Sequence, residues 1–493
     1  MPRSQEIELK LALPTSDPPG LAKRLAHIPV LARRKATQQS LHNVYYDTPE
    51  QILRQQRVAL RLRRIGSDAR PSWLQTLKSG SLCNSALSQR GEWEMPVPDA
   101  SLSLKVLKDT PWSGIDPDGT VFAQLAPVFV TTFERTSWLV RRRDRSVVEV
   151  ALDIGQIVAG NRSSPIFELE LELKVGQPSA LFDIANEIAQ TVAVLPVSAS
   201  KAERGYALAQ GDLALAVRAR PQPLRSDLPL PQAAQRVLSE MFSQFTANLS
   251  ALRSSDDPEL VHQARIGWRR FNSARHLFKP VLATDALPQW LALQSLLACL
   301  GKLRDLDVAR TETLPPFADA YANGDPQRLA SWQAMTLALT QASELQRKTV
   351  RYALQEPAVG ADLLATTQWL HGLAAAGAAS AVLPDSKAAL RHWVRRRIER
   401  LHEQLEVACE KDSSPDHQHR VRILAKRMRY DVEALRGLLP RKRTQLWYQQ
   451  ATTLQTSIGA RRDLMQAATL IAELEVGRPL VEFLRGFALG QAR

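Results

Sequence analysis

Two stretches of the chain alternate charged and apolar residues without a break: Glu6-Ile7-Glu8-Leu9-Lys10 and Glu168-Leu169-Glu170-Leu171-Glu172-Leu173-Lys174. A period of two gives a β-strand two unlike faces. Similar alternation, bounded by Gly, Pro, Ser or Asp, predicts strands over 58–64, 73–78, 91–97, 128–142, 147–154 and 166–175. The best helical signals in this part are 20–26 and 179–194. Around 216–231 the character changes: Pro221, Pro223, Pro229 and Pro231 mark a linker. From Gln232 onward the chain reads as long amphipathic helices rich in Ala, Leu, Gln and Arg. The predicted class is α+β multidomain, with a β-rich domain at 1–208, a linker at 209–230 and an all-α domain at 231–493.

An ordinary strand turns its charged face to water, and for any single strand here that reading is preferred. For Glu6, Glu8 and Lys10 taken together with Glu168, Glu170 and Glu172 it is the poorer account. Carboxylates on neighbouring strands repel unless a cation sits between them, so a closed barrel with a charged interior and a divalent ion is expected. Arg61 and Arg63 alternate in the same way, and Lys78, Arg135 and Lys201 fall at strand or strand-end positions. Guanidinium forks and ammonium groups suit phosphate oxygens. Such a lumen would bind a linear polyphosphate with Mg2+ or Mn2+ held by the acids.

The helical half contains a repeat. His262-Gln-Ala-Arg265-Ile-Gly-Trp-Arg269-Arg270 matches His419-Arg-Val-Arg422-Ile-Leu-Ala-Lys426-Arg427, and Gly301-Lys-Leu-Arg304-Asp305-Leu306 matches Gly459-Ala-Arg-Arg462-Asp463-Leu464. The offsets, 157 and 158 residues, agree, which predicts two homologous helical bundles about a pseudo-twofold axis. Each His/Arg set falls on one helical face, where like charges destabilise unless an anion neutralises them. A lone basic stripe is usually a solvated face; two in register point to a shared anion channel. The aspartates of the Arg304-Asp305 and Arg462-Asp463 pairs read as structural ion-pair partners at helix starts.

The formal net charge of +14 calls for a polyanionic partner. Three scattered cysteines, Cys83, Cys299 and Cys409, form neither a disulfide framework nor a zinc motif, which fits a reducing compartment. The short stretch before the first acidic strand leaves no room for a signal peptide, and no apolar run approaches spanning length, so a cytoplasmic location without membrane insertion is expected. No recognised nucleic-acid module is present.

The opening Glu-x-Glu-x-Lys resembles the signature of the CYTH superfamily, the triphosphate tunnel metalloenzymes. Further matching pieces are Tyr45-Tyr46-Asp47-Thr48-Pro49, Leu60-Arg61-Leu62-Arg63, Thr76-Leu77-Lys78, Arg90-Gly-Glu92-Trp-Glu94, Phe133-Glu-Arg135, Glu149-Val-Ala-Leu-Asp153, the late acidic strand and Ser200-Lys201-Ala-Glu-Arg204-Gly-Tyr206. The resemblance implies an eight-stranded antiparallel tunnel with flanking helices. It implies a metal at Glu6, Glu8, Glu168, Glu170 and Asp153, with Glu172 a further candidate, and catalytic roles for Glu6, Glu8 and Lys10. Lys10, Arg61, Arg63, Lys78, Arg135 and Lys201 would bind the triphosphate, while Glu92 and Glu94 read at least as well as salt-bridge partners of the lumen arginines. The helical half resembles the CHAD family, which implies two four-helix bundles. Their basic surface for inorganic polyphosphate would be carried by His262, Arg265, Arg269, Arg270, His419, Arg422, Lys426 and Arg427. Asp307 has Met465 as its counterpart and is no symmetric functional element.

Together these features predict a Mg2+- or Mn2+-dependent inorganic triphosphatase, releasing pyrophosphate and phosphate, with a helical module that docks polyphosphate. The alternatives are a thiamine triphosphatase or adenylyl cyclase on the same scaffold, or a polyphosphate-binding protein without turnover.

Overall fold

The computed structural model describes residues 5–14, 17–66, 71–80, 85–213, 215–221, 223–282, 287–378, 387–410 and 415–490. They form two compact units. The first is Met1–Leu215 with Arg253–Ser255 and Leu354–Trp369; the second is Ala216–Leu252, Asp256–Ala353 and Leu370–Arg493. Two short pieces of the helical sequence thus belong with the strands, an arrangement no linear boundary describes.

In the first unit eight antiparallel strands close on themselves. They are β1 (Gln5–Ala12), β2 (Ala36–Asp47), β3 (Val58–Ile65), β4 (Ser72–Ser79), β5 (Leu87–Val97), β6 (Ala126–Arg141), β7 (Val147–Ala159) and β8 (Arg162–Val175). The order is β5-β4-β3-β2-β6-β7-β8-β1, and β1 pairs back onto β5 with Glu6 opposite Arg90. A two-residue strand, Leu195–Pro196, adds to β1. The alternating pattern sorts the two faces. Leu9, Leu11, Val150, Leu169 and Leu171 point outward, beneath two helices, α1 (Pro18–His27) and α2 (Ser179–Ala189), whose Leu25, Leu181 and Phe182 are equally buried. Leu60 and Leu77 face outward against Leu107 and Trp112. The charged partners of these residues are left facing the lumen.

Two elements depart from the sequence reading. Strand β2 was not anticipated, because Thr37–Ser40 is an unbroken polar run; Ala36 and these four residues are all exposed, and pairing with β6 rather than burial holds them. Lys201, expected on a strand or strand end, is instead the first residue of α3 (Lys201–Gln210). The signal was present in Ser200 and Glu203, which form a capping box: the Ser200 hydroxyl accepts from the Glu203 amide and the Glu203 carboxylate accepts from the Ser200 amide.

The second unit is built of helices. Those of ten residues or more are α4 (Leu230–Ala251), α5 (Pro258–Phe278), α6 (Leu291–Val308), α7 (Pro326–Ala353), α8 (Pro357–Ala378), α9 (Lys387–Cys409), α10 (Pro415–Leu435), α11 (Arg441–Glu473) and α12 (Arg478–Gly490). Among the described residues, four of these longer helices precede α8 and four follow it, and the first half of α8 belongs to the strand unit. The repeated motifs fall on α5 and α10, then on α6 and α11. Arg304 and Asp305 lie in the last turn and a half of α6, not at a helix start, and Arg304 pairs with Glu312 at 2.8 Å. Asp307 is fully buried and accepts from Ser343 (2.7 Å) and Arg347 (3.2 Å), a structural contact that Met465 has no means to copy. Cys299 and Cys409 are free thiols, and Cys83 lies outside the described residues. No helix among the described residues is long and apolar enough to cross a membrane.

Candidate phosphate tunnel and basic helical face

Strand register decides which charges meet. Asp153 of β7 stands opposite Glu168 of β8 and Arg135 of β6. Lys10 of β1 stands opposite Glu170 of β8. Asp153, Glu168 and Glu170 each bring a carboxylate oxygen within 4.8 Å of the others. The Lys201 ammonium sits at their meeting point, 2.6 Å from Asp153, 2.6 Å from Glu168 and 2.9 Å from Glu170. Arg135 forks onto Asp153 with two 2.7 Å bonds and reaches Glu170 at 2.6 Å, while Arg204 holds Glu168 at 3.0 Å. Burial pushes Glu170 up, but Lys201, Arg135 and Lys10 outweigh it and hold its carboxyl well below the usual range. The same acids keep the Lys201 ammonium charged despite burial.

The other expected metal-side acids are placed differently. Glu6 accepts from Arg90 (2.7 Å) and Lys78 (3.1 Å), and these two cations overcome burial and keep it ionised. Glu8 is held by Lys10 at 2.6 Å, by Arg90 and by Ser88 at 3.2 Å. Of the five carboxylates expected around a metal, three converge on Lys201, and the other two pair with Lys78, Arg90 and Lys10 instead. Glu172 pairs with Lys174 at 2.6 Å, and burial together with Glu6 and Glu92 raises it.

On the opposite wall Arg61 reaches Glu94 at 3.4 Å and Glu92 at 3.6 Å, Arg63 lies 3.6 Å from Glu94, and Lys78 pairs with Glu92 at 2.7 Å. Glu92 and Glu94 therefore are partners of the lumen bases. Arg63 also donates to Asn43 at 2.8 Å, and burial plus the fields of Arg61 and Arg135 bring it down to about 10. Tyr45 stands beside Arg61; burial pushes its phenol up, yet Arg61, Arg63 and Lys78 together hold it below its usual range. Two lumen residues, Arg90 and Tyr45, had no role in the sequence reading. For Arg90 the signal was parity, since it is two and four residues from Glu92 and Glu94.

On the helical unit the two stripes meet in part. Lys426 of α10 is brought down to about 7, by burial first and then by Arg269 of α5, Arg422 and Arg462. Arg265 falls to about 10 through burial and the neighbouring Arg269, Arg304 and Arg462. Cations from both repeats thus share one patch, joined by Arg304 and Arg462, which the sequence reading had treated only as parts of ion pairs. Gly301 makes room for it: a Cβ there would stand 2.9 Å from the Arg265 guanidinium. His262 is half-buried, and burial and Arg304 lower its affinity for a proton; His419 is exposed. Arg270 leaves the stripe altogether. It is 1% exposed and holds Glu240 (3.1 Å) and Gln244 (2.7 Å) in the core. Arg427 lies towards buried Asp431, whose carboxyl accepts from Ser273 at 2.8 Å. Helical periodicity puts i+7 and i+8 on adjacent lines, and here the interhelical seam runs between them.

The CYTH family model matches residues 4–206, and the CHAD family model matches residues 236–472. An inorganic triphosphatase of Haemophilus influenzae is 36% identical over 209 residues, which cover 41% of this chain and 55% of that protein. The chain therefore matches about half the length of that curated relative. Among solved structures, the CHAD domain of the plant Ricinus communis is 28% identical, with 56% of this chain and 90% of that chain covered and a TM-score of 0.48. A putative adenylyl cyclase of Hippeastrum, described as having a dominant triphosphatase activity, is 18% identical, with 41% and 95% covered and a TM-score of 0.32. This chain joins a CYTH domain to a CHAD domain.

Proposed function

We propose that the barrel hydrolyses inorganic triphosphate to pyrophosphate and phosphate with a divalent cation, and that the basic face of the helical unit binds polyphosphate. The observation that carries the first part is the convergence of Asp153, Glu168 and Glu170 within 4.8 Å, in a lumen whose cations include Lys10, Arg61, Arg63, Lys78, Arg90 and Arg135. Three hard oxygen donors around one cationic point fit Mg2+ or Mn2+, and the ammonium of Lys201 already marks that point. When bound, the ion supplies charge neutralisation and a more acidic water. The side chains do the rest. Arg61, Arg63 and Lys78 hold phosphoryl oxygens in a buried site where charge stabilisation is strong and needs no reorganisation. Glu92 and Glu94 position them beforehand. Lys10 and Arg135 would add two further cations beside the acids, and Lys201, if a cation occupied the carboxylates, would be available to bind a phosphoryl oxygen. Glu6 and Glu8 orient Arg90, Lys78 and Lys10. The 36% identity to an inorganic triphosphatase over the barrel supports this choice of substrate.

The test is a panel of tripolyphosphate, thiamine triphosphate and ATP, each with and without Mg2+ or Mn2+. Metal-dependent phosphate release with tripolyphosphate preferred is expected. Preference for an organic triphosphate overturns the substrate, cyclic AMP formation from ATP replaces hydrolysis with cyclisation, and polyphosphate binding without any phosphate release leaves a binding protein.

A further inference from the structure

Each of the three converging carboxylates has two oxygens, and the fold gives them different partners. Asp153 turns Oδ2 to Lys201 at 2.6 Å and is gripped by the Arg135 fork, which takes Oδ1 at 2.7 Å and shares Oδ2. Glu170 turns Oε1 to Lys201 at 2.9 Å and gives Oε2 to Arg135 at 2.6 Å. Glu168 turns Oε1 to Lys201 at 2.6 Å and gives Oε2 to Arg204 at 3.0 Å. One oxygen of each acid thus faces the common point, while a guanidinium occupies the other.

Arg204 is itself held in place. Its other terminal nitrogen donates to the Pro165 carbonyl near the start of β8 and lies 3.5 Å from the Ser164 hydroxyl. It follows Lys201 by three residues on α3, so one helical face carries both cations, one for each oxygen of Glu168. Oε1 is the oxygen left wanting. Glu168 is 2% exposed, and its Oε1 is buried without a hydrogen bond although the Lys201 ammonium is close. A buried carboxylate oxygen without a donor is costly, and a cation at the point now held by Lys201 satisfies it.

Which ion fits depends on how many oxygens each acid can offer. Mg2+ demands near-octahedral geometry and keeps several waters, whereas Ca2+ takes more oxygens and readily accepts both from one carboxylate. Three acids that expose one oxygen apiece suit the first ion and deny the second its chelates. Resting on the triphosphatase reading above, we propose that Arg204 is a positioning residue that sets ion selectivity: by holding Glu168 Oε2 it leaves Oε1 alone to meet the cation, and so favours Mg2+ over Ca2+. Arg135 does the same for Glu170 by occupying its Oε2.

The test is calorimetry of Mg2+ and Ca2+ binding to the full chain in phosphate-free buffer, for the wild type, Arg204→Met and Arg204→Lys. Both ions must displace Lys201, so that cost cancels in the ratio of their affinities. The positive charge lost in Arg204→Met favours both ions alike and cancels too. What remains is the freedom of Glu168. The ratio of Ca2+ to Mg2+ affinity is expected to rise about tenfold in Arg204→Met, the scale on which residues behind a metal ligand act. Arg204→Lys, which returns a donor to Oε2, should restore most of the original ratio. If the ratio in folded Arg204→Met equals that of the wild type, Arg204 is only a structural ion-pair partner. Wild-type crystals soaked in Mn2+, an ion of the same octahedral preference, test the point without a variant. Glu168 ligating through Oε1 alone with Arg204 still on Oε2 supports the proposal, and a bidentate Glu168 overturns it. Metal-dependent tripolyphosphate hydrolysis with an unchanged ratio removes the role of Arg204 and leaves the function standing. Wild-type protein that binds neither ion and hydrolyses no tripolyphosphate would instead remove the function proposed above, and this role with it.

Discussion

Lys201 shows how much one side chain decides. Its ammonium bridges three carboxylates that otherwise repel one another, with Arg135 and Arg204 supplying the remaining positive charge. A divalent ion must displace it to bind there. Replacing Lys201 with Met should therefore tighten Mn2+ binding in the absence of phosphate, by roughly tenfold or more, while weakening tripolyphosphate binding. Calorimetry measures both, and unchanged Mn2+ affinity would separate the metal from this cluster. Asp431 offers a second residue-level test. Its buried carboxyl is pushed up to about 7, far above its unfolded value near 4. Between these values the folded protein holds a proton that the unfolded chain has released. The contribution is complete below about pH 4 and is lost as pH rises through 7, a change of about 4 kcal/mol for one such group. Asp431→Asn keeps an acceptor for Ser273, so its melting temperature should fall less than that of the wild type between pH 5 and 8.

At the level of elements, the sequence motifs act through the helices and strands that carry them. The capping box of α3 fixes the helix start and hence where Lys201 enters the lumen. Ser200→Ala should cost about 1 kcal/mol of stability and lower kcat/KM as well, because the cap and the ammonium are adjacent. The seam between α5 and α10 sets Lys426 among Arg269, Arg422 and Arg462 and brings it down to about 7. A polyphosphate seated there would raise that value again, so binding takes up a proton above pH 7. Affinity should weaken several-fold from pH 7 to pH 9, and Lys426→Arg should flatten the dependence. Changing Arg265, Arg269, Arg422 and Lys426 together to Ala should weaken polyphosphate binding and flatten its salt dependence, measured by titration at several ionic strengths.

At the scale of the whole molecule, the proposed function assigns a different task to each unit. Glu168→Gln removes one of the three converging carboxylates and should reduce tripolyphosphate hydrolysis at least tenfold while polyphosphate binding by the helical unit persists. The fourfold basic variant should do the reverse; if its hydrolysis also vanished in a folded protein, the division would be wrong. Much of this was legible in the linear chain. Alternation at 6–10 and 168–174 required strands with one charged face, because side-chain direction in a strand is a local property of the backbone. The proline cluster and the change of period marked the passage to helices, and the matched offsets revealed the repeat. Which charges would meet was not legible. Glu6 and Glu168 look alike in sequence, yet one lies opposite Arg90 and the other opposite Asp153, because pairing register joins residues far apart in the chain. Arg269 and Arg270 are neighbours with the same side chain; packing against α4 buried the second with Glu240 and left the first in the basic patch. Periodicity is written residue by residue, whereas neutralisation and burial depend on what lies across the fold, and only the closed barrel and the packed helices determined those partners.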